Sequence, residues 1–216
     1  MYTVIIGDIV ASKKLLNRSE VQKHLQKVLE QINNEYQNML ASKFTITLGD
    51  EFQGVLTSGA KLLEIIDKIR FSVDEVTIRF GVGVGDIYTP INYELSIGAD
   101  GPAYWKAREA INYIHQHNDF KRNNLRIEID QRESDLINEL LGLCGYIEST
   151  WLVSQQELIK NIVLRYGYDL EIKQVVMAKD LQLSTQNLYL RLKKMGYYNY
   201  IRSRLQICRF LSQEEV

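Results

Sequence analysis

The feature that most constrains the fold is a near-continuous apolar run at the start of the chain, YTVIIGDIV over residues 2–10. Its β-branched residues, apolar on both alternating faces, are typical of a central strand that is buried on both sides. The run breaks at Gly7 and Asp8, where an acidic side chain meets the strand end. We therefore expect a sheet built around this strand.

Helical and strand-like patterns alternate after it. Apolar residues recur at helical spacing over residues 19–41, 58–71 and 103–117. Ser19 is the expected N-cap of the first of these helices, with Gln22 completing a capping box.

Four further segments have the composition of strands. The runs 44–48 and 52–57, joined by the short turn 49–51, predict a β-hairpin. The segments 76–89 and 125–130 predict two more strands. In the former, Gly81, Gly83 and Gly85 alternate, so one bare face lets another backbone or a ligand approach closely.

The order of these elements is β-α-β-β-α-β-α-β, with a possible further strand after the fourth. It predicts an α+β fold, with an antiparallel or mixed sheet and helices on one face, related to the ferredoxin-like motif. From residue 131 onward the pattern is purely helical. We therefore expect an α+β domain over residues 1–130 and an all-α domain over 131–216, packed together or joined by a continuous helix.

The composition agrees with a globular cytoplasmic protein. Of 216 residues, 45% are hydrophobic and 25% are charged, and no apolar run is long enough to span a bilayer. The start of the chain lacks the basic leader of a signal peptide. Cys144 and Cys208 have no metal-ligand spacing and are expected to be reduced core residues. Trp105 and Trp151 are expected to anchor the core.

The acidic turns carry the chemistry that the sequence suggests. Asp8 ends the first strand, and Asp50 and Glu51 lie at the hairpin tip. If the first strand lies beside the hairpin, these carboxylates meet at one edge of the sheet. Mg²⁺ or Mn²⁺ relieves their repulsion, and a metal pair can clamp the oxygens of a transferred phosphate. Gly7 and Gly49 would let phosphates approach the backbone, although Gly-Asp pairs also serve simply as turns.

These turns resemble the metal-binding framework of class III nucleotide cyclases. The resemblance rests on GDIVASKKL, TLGDEFQGVL, RFGVGVGDI and GPAYWKAREA, and residues 49–52 are also similar to the signature of diguanylate cyclase (GGDEF) domains. It implies a nucleotide ligand, a homodimer, and Arg108 as the phosphate-contacting arginine. The alternatives for Arg108 are a surface position or an ion pair with Asp100.

Three positions depart from the cyclase pattern. Tyr104 stands where the family has an asparagine, Ile46 near the base-selecting lysine, and Leu48 at the first glycine of the diguanylate signature. These departures leave a degenerate, a ligand-binding or a wholly structural domain as alternatives to a working cyclase. Lys13, Lys14 and Arg18 could meet phosphates, but a solvated basic turn is the simpler interpretation. The histidines at 115 and 117 are two residues apart on a helix and do not form a chelate.

Residues 172–197 have the pattern of a helix-turn-helix. Ser184 caps the second helix, Leu188 and Leu192 form its buried stripe, and Ala178 lies at the helix crossing. The segment resembles Fis-type DNA-binding units, which implies an outward face that reads bases and two lysines that meet phosphates. The base-reading residues are Thr185, Gln186, Asn187, Tyr189 and Arg191, and the phosphate-contacting ones are Lys193 and Lys194.

The charge distribution is consistent with this interpretation. Residues 1–154 carry 16 Lys and Arg against 21 Asp and Glu, whereas residues 155–216 carry 10 against 6. A basic end on an acidic body suits a double-stranded DNA partner. A helical protein-interaction module with the same spacing is the alternative.

Along its whole length the chain resembles the SatD family of bacterial proteins, through YTVIIGDIVASKKLLNR, TLGDEFQGVL, RFGVGVGDI and IGADGPAYWKARE. The leading hypothesis is a DNA-binding regulator whose cyclase-like domain binds a nucleotide or phosphate ligand. The alternatives are a Mg²⁺-dependent nucleotidyl cyclase or transferase, and a non-catalytic interaction module.

Overall fold

A computed structural model describes residues 1–117 and 124–212. It contains a five-stranded mixed sheet and eight α-helices, with short 3₁₀ turns after β1 and α1. The strands are β1 (Tyr2–Ile9), β2 (Leu40–Leu48), β3 (Glu51–Leu56), β4 (Ile78–Gly85) and β5 (Leu125–Glu128). The helices are α1 (Arg18–Glu35), α2 (Leu62–Ser72), α3 (Pro102–Gln116), α4 (Gln131–Ser149), α5 (Val153–Tyr166), α6 (Gln174–Asp180), α7 (Thr185–Lys194) and α8 (Tyr197–Ser212).

The sheet confirms that the first strand is central. The strand order is β2-β3-β1-β4-β5, in which β1 pairs antiparallel with both β3 and β4, and β5 lies parallel to β4. Val4 and Ile6 belong to one hydrophobic cluster, while Ile5 and Ile9 belong to another. Since successive residues of a strand face opposite sides, β1 is buried on both faces.

The helices lie on both faces of the sheet, so the expectation of one helical face was only partly right. The helices α1 and α2 pack with the cluster that contains Ile5, as the ferredoxin-like motif predicts. The helix α3 packs with the other cluster, over Val4 and Ile6. The reason is topological: β4 and β5 are parallel neighbours, which requires a crossover, and α3 is that crossover.

The alternating glycines allow α3 to lie directly on β4, which confirms the predicted close approach of another backbone. A Cβ atom at Gly83 would lie 2.1 Å from the carbonyl oxygen of Ala103, and one at Gly81 would lie 2.5 Å from that of Ala107. The bare face of this strand is therefore filled by a helix backbone.

The first helix differs from its prediction at both ends. Its N-cap is Asn17, without a side-chain cap hydrogen bond, so the capping box at Ser19 was wrong. The helix ends at Glu35 because the backbone of Tyr36 leaves the helical conformation. The Tyr36 hydroxyl donates a hydrogen bond to Glu64 over 2.7 Å, and β2 begins earlier than predicted, at Leu40.

The C-terminal part is entirely helical within its described residues, as predicted. One hydrophobic cluster joins its side chains to those of α1 and α2. Trp151 is 5% exposed, which confirms it as a core anchor, and both cysteines are buried. The proposed boundary near residue 130 falls between β5 and α4 and stays a prediction. Among the described residues, no helix is long and apolar enough to cross a membrane.

A buried polar network links α2 to α8. Asp67 is 0% exposed and accepts hydrogen bonds from Arg204 at 2.7 Å and from Arg70 at 2.8 Å. Its second oxygen accepts from the hydroxyls of Tyr168 and Tyr200. Because every polar partner is itself bonded, the network fixes α2 and α8 against one another.

Candidate functional site: an acidic turn beside an open cleft

The sheet brings the predicted carboxylates together. Asp8 of β1 and Glu51 of β3 are directly opposite one another in the antiparallel register. Asp50 precedes Glu51 in the hairpin turn, where Gly49 has a φ of 60°. Directly opposed residues on one face have Cβ atoms about 5 Å apart. The pairing of β1 with β3 therefore brings these acids together, as the sequence predicted.

Each of these carboxylates is paired with an arginine. The pairs are Glu51 with Arg108 (2.6 and 2.9 Å), Asp8 with Arg79 (3.4 Å) and Asp50 with Arg18 (3.8 Å). Among residues 1–117 and 124–212, no group of three or more acidic, histidine or cysteine side chains is arranged to hold a metal ion. A cation entering here must displace guanidinium groups from the carboxylates.

Arg108 does not pair with Asp100, which was one of the alternatives for it. Its guanidinium forms a bidentate ion pair with Glu51, and such pairs are the strongest arginine–carboxylate contacts. Asp100 instead accepts a hydrogen bond from the indole of Trp105. Arg108 therefore ties α3 to the acidic turn.

His115 is a site residue that the sequence did not indicate. Its Nε2 lies 3.1 Å from a carboxylate oxygen of Asp8, and its Nδ1 lies 3.2 Å from Arg79. The sequence showed only that His115 and His117 cannot chelate one metal. The contact arises because α3 lies across β1 and β4, and no spacing along the chain signals that.

Ser12 was also missed. It is buried in the turn that follows β1, and its hydroxyl donates a hydrogen bond to Asp50. Lys13 and Lys14, in the same turn, are exposed, in keeping with a solvated basic segment, while Arg18 reaches Asp50.

Gly7 lies in the core. A Cβ atom there would lie 2.1 Å from the ring of Phe52, so the glycine makes room for a buried aromatic side chain. This packing gives the glycine a structural purpose that is independent of phosphate. Gly49, in contrast, is a turn residue with positive φ, close to Arg18.

The pKa of Asp8 is raised. Burial is the main cause; His115 and Arg79 oppose the rise, while the neighbouring carboxylate of Asp50 adds to it. An acid whose folded-state pKa is raised is less favourable as an anion in the folded protein than in the unfolded chain. Its ionisation therefore lowers stability as the pH rises through and above its ordinary pKa near 4.

Replacing Asp8 with asparagine is therefore expected to stabilise the protein at pH 7. The rise in melting temperature should be small, on the order of 1–3 °C, because the group is only partly buried. Thermal unfolding followed by circular dichroism measures it, and the advantage should disappear below about pH 4, where Asp8 itself is protonated. A lower melting temperature at pH 7 would show that the pairs with Arg79 and His115 outweigh burial.

An open cleft of about 820 Å³ lies on the same face of the sheet. Ile6 and Gln53 belong to its floor, and one flank of α3 forms a wall that includes Trp105 and Arg108. Trp105 is 55% exposed, so its expected role as a core anchor was wrong. The cleft leads to the acidic turn through Arg108, which is bonded to Glu51.

The Tyr104 side chain lines the cleft and is 9% exposed, and its hydroxyl is buried beside that of Ser96. Burial raises the pKa of Tyr104, and a hydrogen bond with the Ser96 side chain opposes that rise.

The two predicted helices near residue 180 are present as α6 and α7. Ser184 is the N-cap of α7 and accepts a hydrogen bond from the backbone nitrogen of Asn187 over 3.2 Å, as predicted. Leu188 and Leu192 are buried. Gln182, in the intervening turn, has a φ of 55°.

The remaining face of α7 points outward. Six of the residues predicted to contact DNA are exposed, and Arg191 is half-buried. The exposed ones are Thr185, Gln186, Asn187, Tyr189, Lys193 and Lys194. Within residues 1–117 and 124–212, no other part of the chain covers this face of α7.

Comparisons with known proteins identify the family of this chain. No curated protein matches the chain. One matching solved structure is the catalytic core of a rhodopsin-guanylyl cyclase with converted specificity in complex with ATPalphaS, at 16% identity and a TM-score of 0.30, covering 50% of this chain and 70% of that one. The SatD family model matches residues 2–211, so this chain belongs to the SatD family.

Proposed function

We propose that this SatD-family protein is a bacterial DNA-binding regulator whose sheet domain binds a nucleotide through its phosphates and Mg²⁺. The observation that supports the proposal most is the opposition of Asp8 and Glu51 on one face, with Asp50 in the adjoining turn. Three arginines surround these acids. The carboxylates suit a metal ion and the arginines suit phosphate groups, so the site suits a ligand that contains both.

The residues fit Mg²⁺, or Mn²⁺, by the chemistry of their donors. Both ions prefer carboxylate oxygens, and Mg²⁺ retains several waters, so one or two carboxylates plus phosphate oxygens suffice. The carboxylates of Asp8, Asp50 and Glu51 would hold the metal, and Arg108 and Arg79, which now pair with Glu51 and Asp8, would then be available to phosphate oxygens.

Binding is favoured over turnover by two substituted positions. Ile46 packs against the hydrophobic core and offers no polar group to a base. Tyr104 buries its hydroxyl where the cyclase pattern has an amide. One contact favours the enzymatic alternative: the His115 imidazole lies 3.1 Å from a carboxylate oxygen of Asp8. Metal-dependent turnover of ATP or GTP that Asp8→Ala abolishes would establish the enzyme.

The ligand half of the proposal is tested by thermal unfolding with ATP and GTP, each with and without Mg²⁺ or Mn²⁺. A ligand at one hundred times its dissociation constant adds about 2.7 kcal/mol to the free energy of unfolding. We expect a rise in melting temperature that needs the metal. If no combination shifts it, binding of ATP and of GTP is ruled out.

The DNA half rests on the exposed face of α7 and its basic end. Replacing Lys193 and Lys194 together with alanine is expected to weaken duplex binding for all sequences alike. It should also reduce the slope of log affinity against log salt by about 2, because two phosphate contacts are lost.

Fluorescence anisotropy with a labelled duplex at several salt concentrations measures both effects. The matched control is the double alanine variant of Lys23 and Lys27, which are exposed on α1. Equal losses in the two variants would indicate general electrostatic attraction and not recognition by α7. A homodimer, implied by the cyclase resemblance, would add a two-fold site to this interaction.

A further inference from the structure

The cleft beside α3 continues from the acidic turn to a wall with aromatic and amide side chains. Arg108 belongs to both, because it lines the cleft and its guanidinium bonds Glu51. A ligand held by its phosphates at the turn therefore has this cleft as the space for its remaining part.

Trp105 offers a flat surface at this wall. Its Nε1 donates a hydrogen bond to Asp100 over 2.7 Å, and the ring of Tyr88 meets it edge-on at 6.1 Å between centroids. These contacts hold the indole in one orientation although it is largely exposed. An ordered, exposed aromatic ring is a platform on which a planar heterocycle stacks.

The neighbouring side chains of α3 have unused hydrogen-bonding groups. Glu109, Asn112 and Gln116 line the cleft and make no side-chain hydrogen bond within residues 1–117 and 124–212. An amide supplies a donor and an acceptor, and a carboxylate supplies acceptors. Glu109 lies one helical turn from Trp105, so a flat ring stacked on Trp105 has a hydrogen-bond acceptor beside its edge.

We infer that this cleft holds the base of the nucleotide, stacked on Trp105 with Glu109 beside its edge, and with its phosphates at Arg108 and the acidic turn. The inference rests on the proposed function and adds the position of the base to it. It also makes Trp105, which the sequence placed in the core, a binding residue.

The chain contains two tryptophans, which makes the test direct. Trp151 is buried, and its indole donates to the carbonyl of Met195, so a ligand that changes the emission reports on Trp105. The titrants are ATP, GTP, CTP, UTP and inorganic tripolyphosphate, all with Mg²⁺. We expect at least one nucleotide to quench the emission and to bind on the order of tenfold more tightly than tripolyphosphate.

Calorimetric titration of variants completes the experiment. Trp105→Ala should weaken binding of that nucleotide on the order of tenfold and leave tripolyphosphate unchanged. Phe210→Ala removes an equally exposed aromatic ring on α8 and should change neither.

The outcomes separate the two proposals. If tripolyphosphate binds as tightly as every nucleotide and Trp105→Ala has no effect, the base site is refuted while phosphate binding stands. If neither nucleotides nor tripolyphosphate bind, both proposals fail.

Discussion

The variant Asp67→Ala is expected to lose about 3–5 kcal/mol of unfolding free energy, which is a large part of the stability of a typical domain. Asp67 is fully buried and neutralises Arg204, which is itself 5% exposed. Removing the carboxylate leaves a guanidinium in the interior with only the Tyr168 hydroxyl as an acceptor on its Nε.

Urea denaturation measures this loss, and the chain provides a matched control. Asp74, two turns further along, pairs with Lys160 near the surface, where its side chain is 49% exposed. Asp74→Ala should therefore change stability by less than about 1 kcal/mol. Similar losses in both variants would mean that the buried network contributes no more than a surface pair.

The same network gives the protein an acid-sensitive element. Burial alone would raise the pKa of Asp67, but Arg204, Arg70 and the Tyr168 hydroxyl outweigh it and hold the pKa below its ordinary value. A lowered folded-state pKa contributes stability above the unfolded-state value near 4, and that contribution is lost as the pH falls through the folded-state pKa. The difference in unfolding free energy between the wild type and Asp67→Ala should therefore become smaller below about pH 4.

The second large effect is expected from Gly83→Ala. The new methyl group would lie 2.1 Å from the carbonyl oxygen of Ala103 and 2.3 Å from the backbone nitrogen of Ala107. Since these are backbone atoms, α3 must move off the sheet, and we expect a loss of about 1–3 kcal/mol or more. A shifted α3 also disturbs the contact of Arg108 with Glu51.

Gly142→Ala is the control for the glycine prediction. A Cβ atom at Gly142, inside α4, meets nothing within 4 Å. Alanine there should raise stability by up to about 1 kcal/mol through helix propensity alone. Opposite signs for the two variants support direct packing of α3 on β4, whereas a neutral Gly83→Ala would contradict it.

The acidic turn was predictable because residues close together in the sequence determine where its carboxylates lie. Gly-Asp at a strand end and at a hairpin tip places the acids, and only the pairing of β1 with β3 had to be assumed. The partners of those acids were not predictable in this way. Arg79 approaches Asp8 because β4 pairs with β1 in that register, and His115 does so because α3 packs on this face of the sheet. That placement depends on packing and not on periodicity.

The same distinction explains the error at Trp105. A tryptophan is most often buried, and Trp151, which lies between α4 and α5, follows that rule. Trp105 lies on the flank of α3 that borders the open cleft, and the helical pattern does not reveal which flank the sheet leaves uncovered. The end of α1 was missed for a related reason, because the hydrogen bond of Tyr36 to Glu64 joins residues far apart in sequence.

The central claim is that the acidic turn receives a metal together with a phosphate. The dissociation constant for ATP or GTP, measured by calorimetry with and without Mg²⁺ in the wild type and in Asp50→Ala, tests it most directly. Asp50 lies in a turn and is partly exposed, so alanine there should leave the fold intact. The account predicts that Mg²⁺ tightens binding to the wild type, and that the variant loses most of this dependence. Equal metal dependence in both proteins, or none in the wild type, would contradict it.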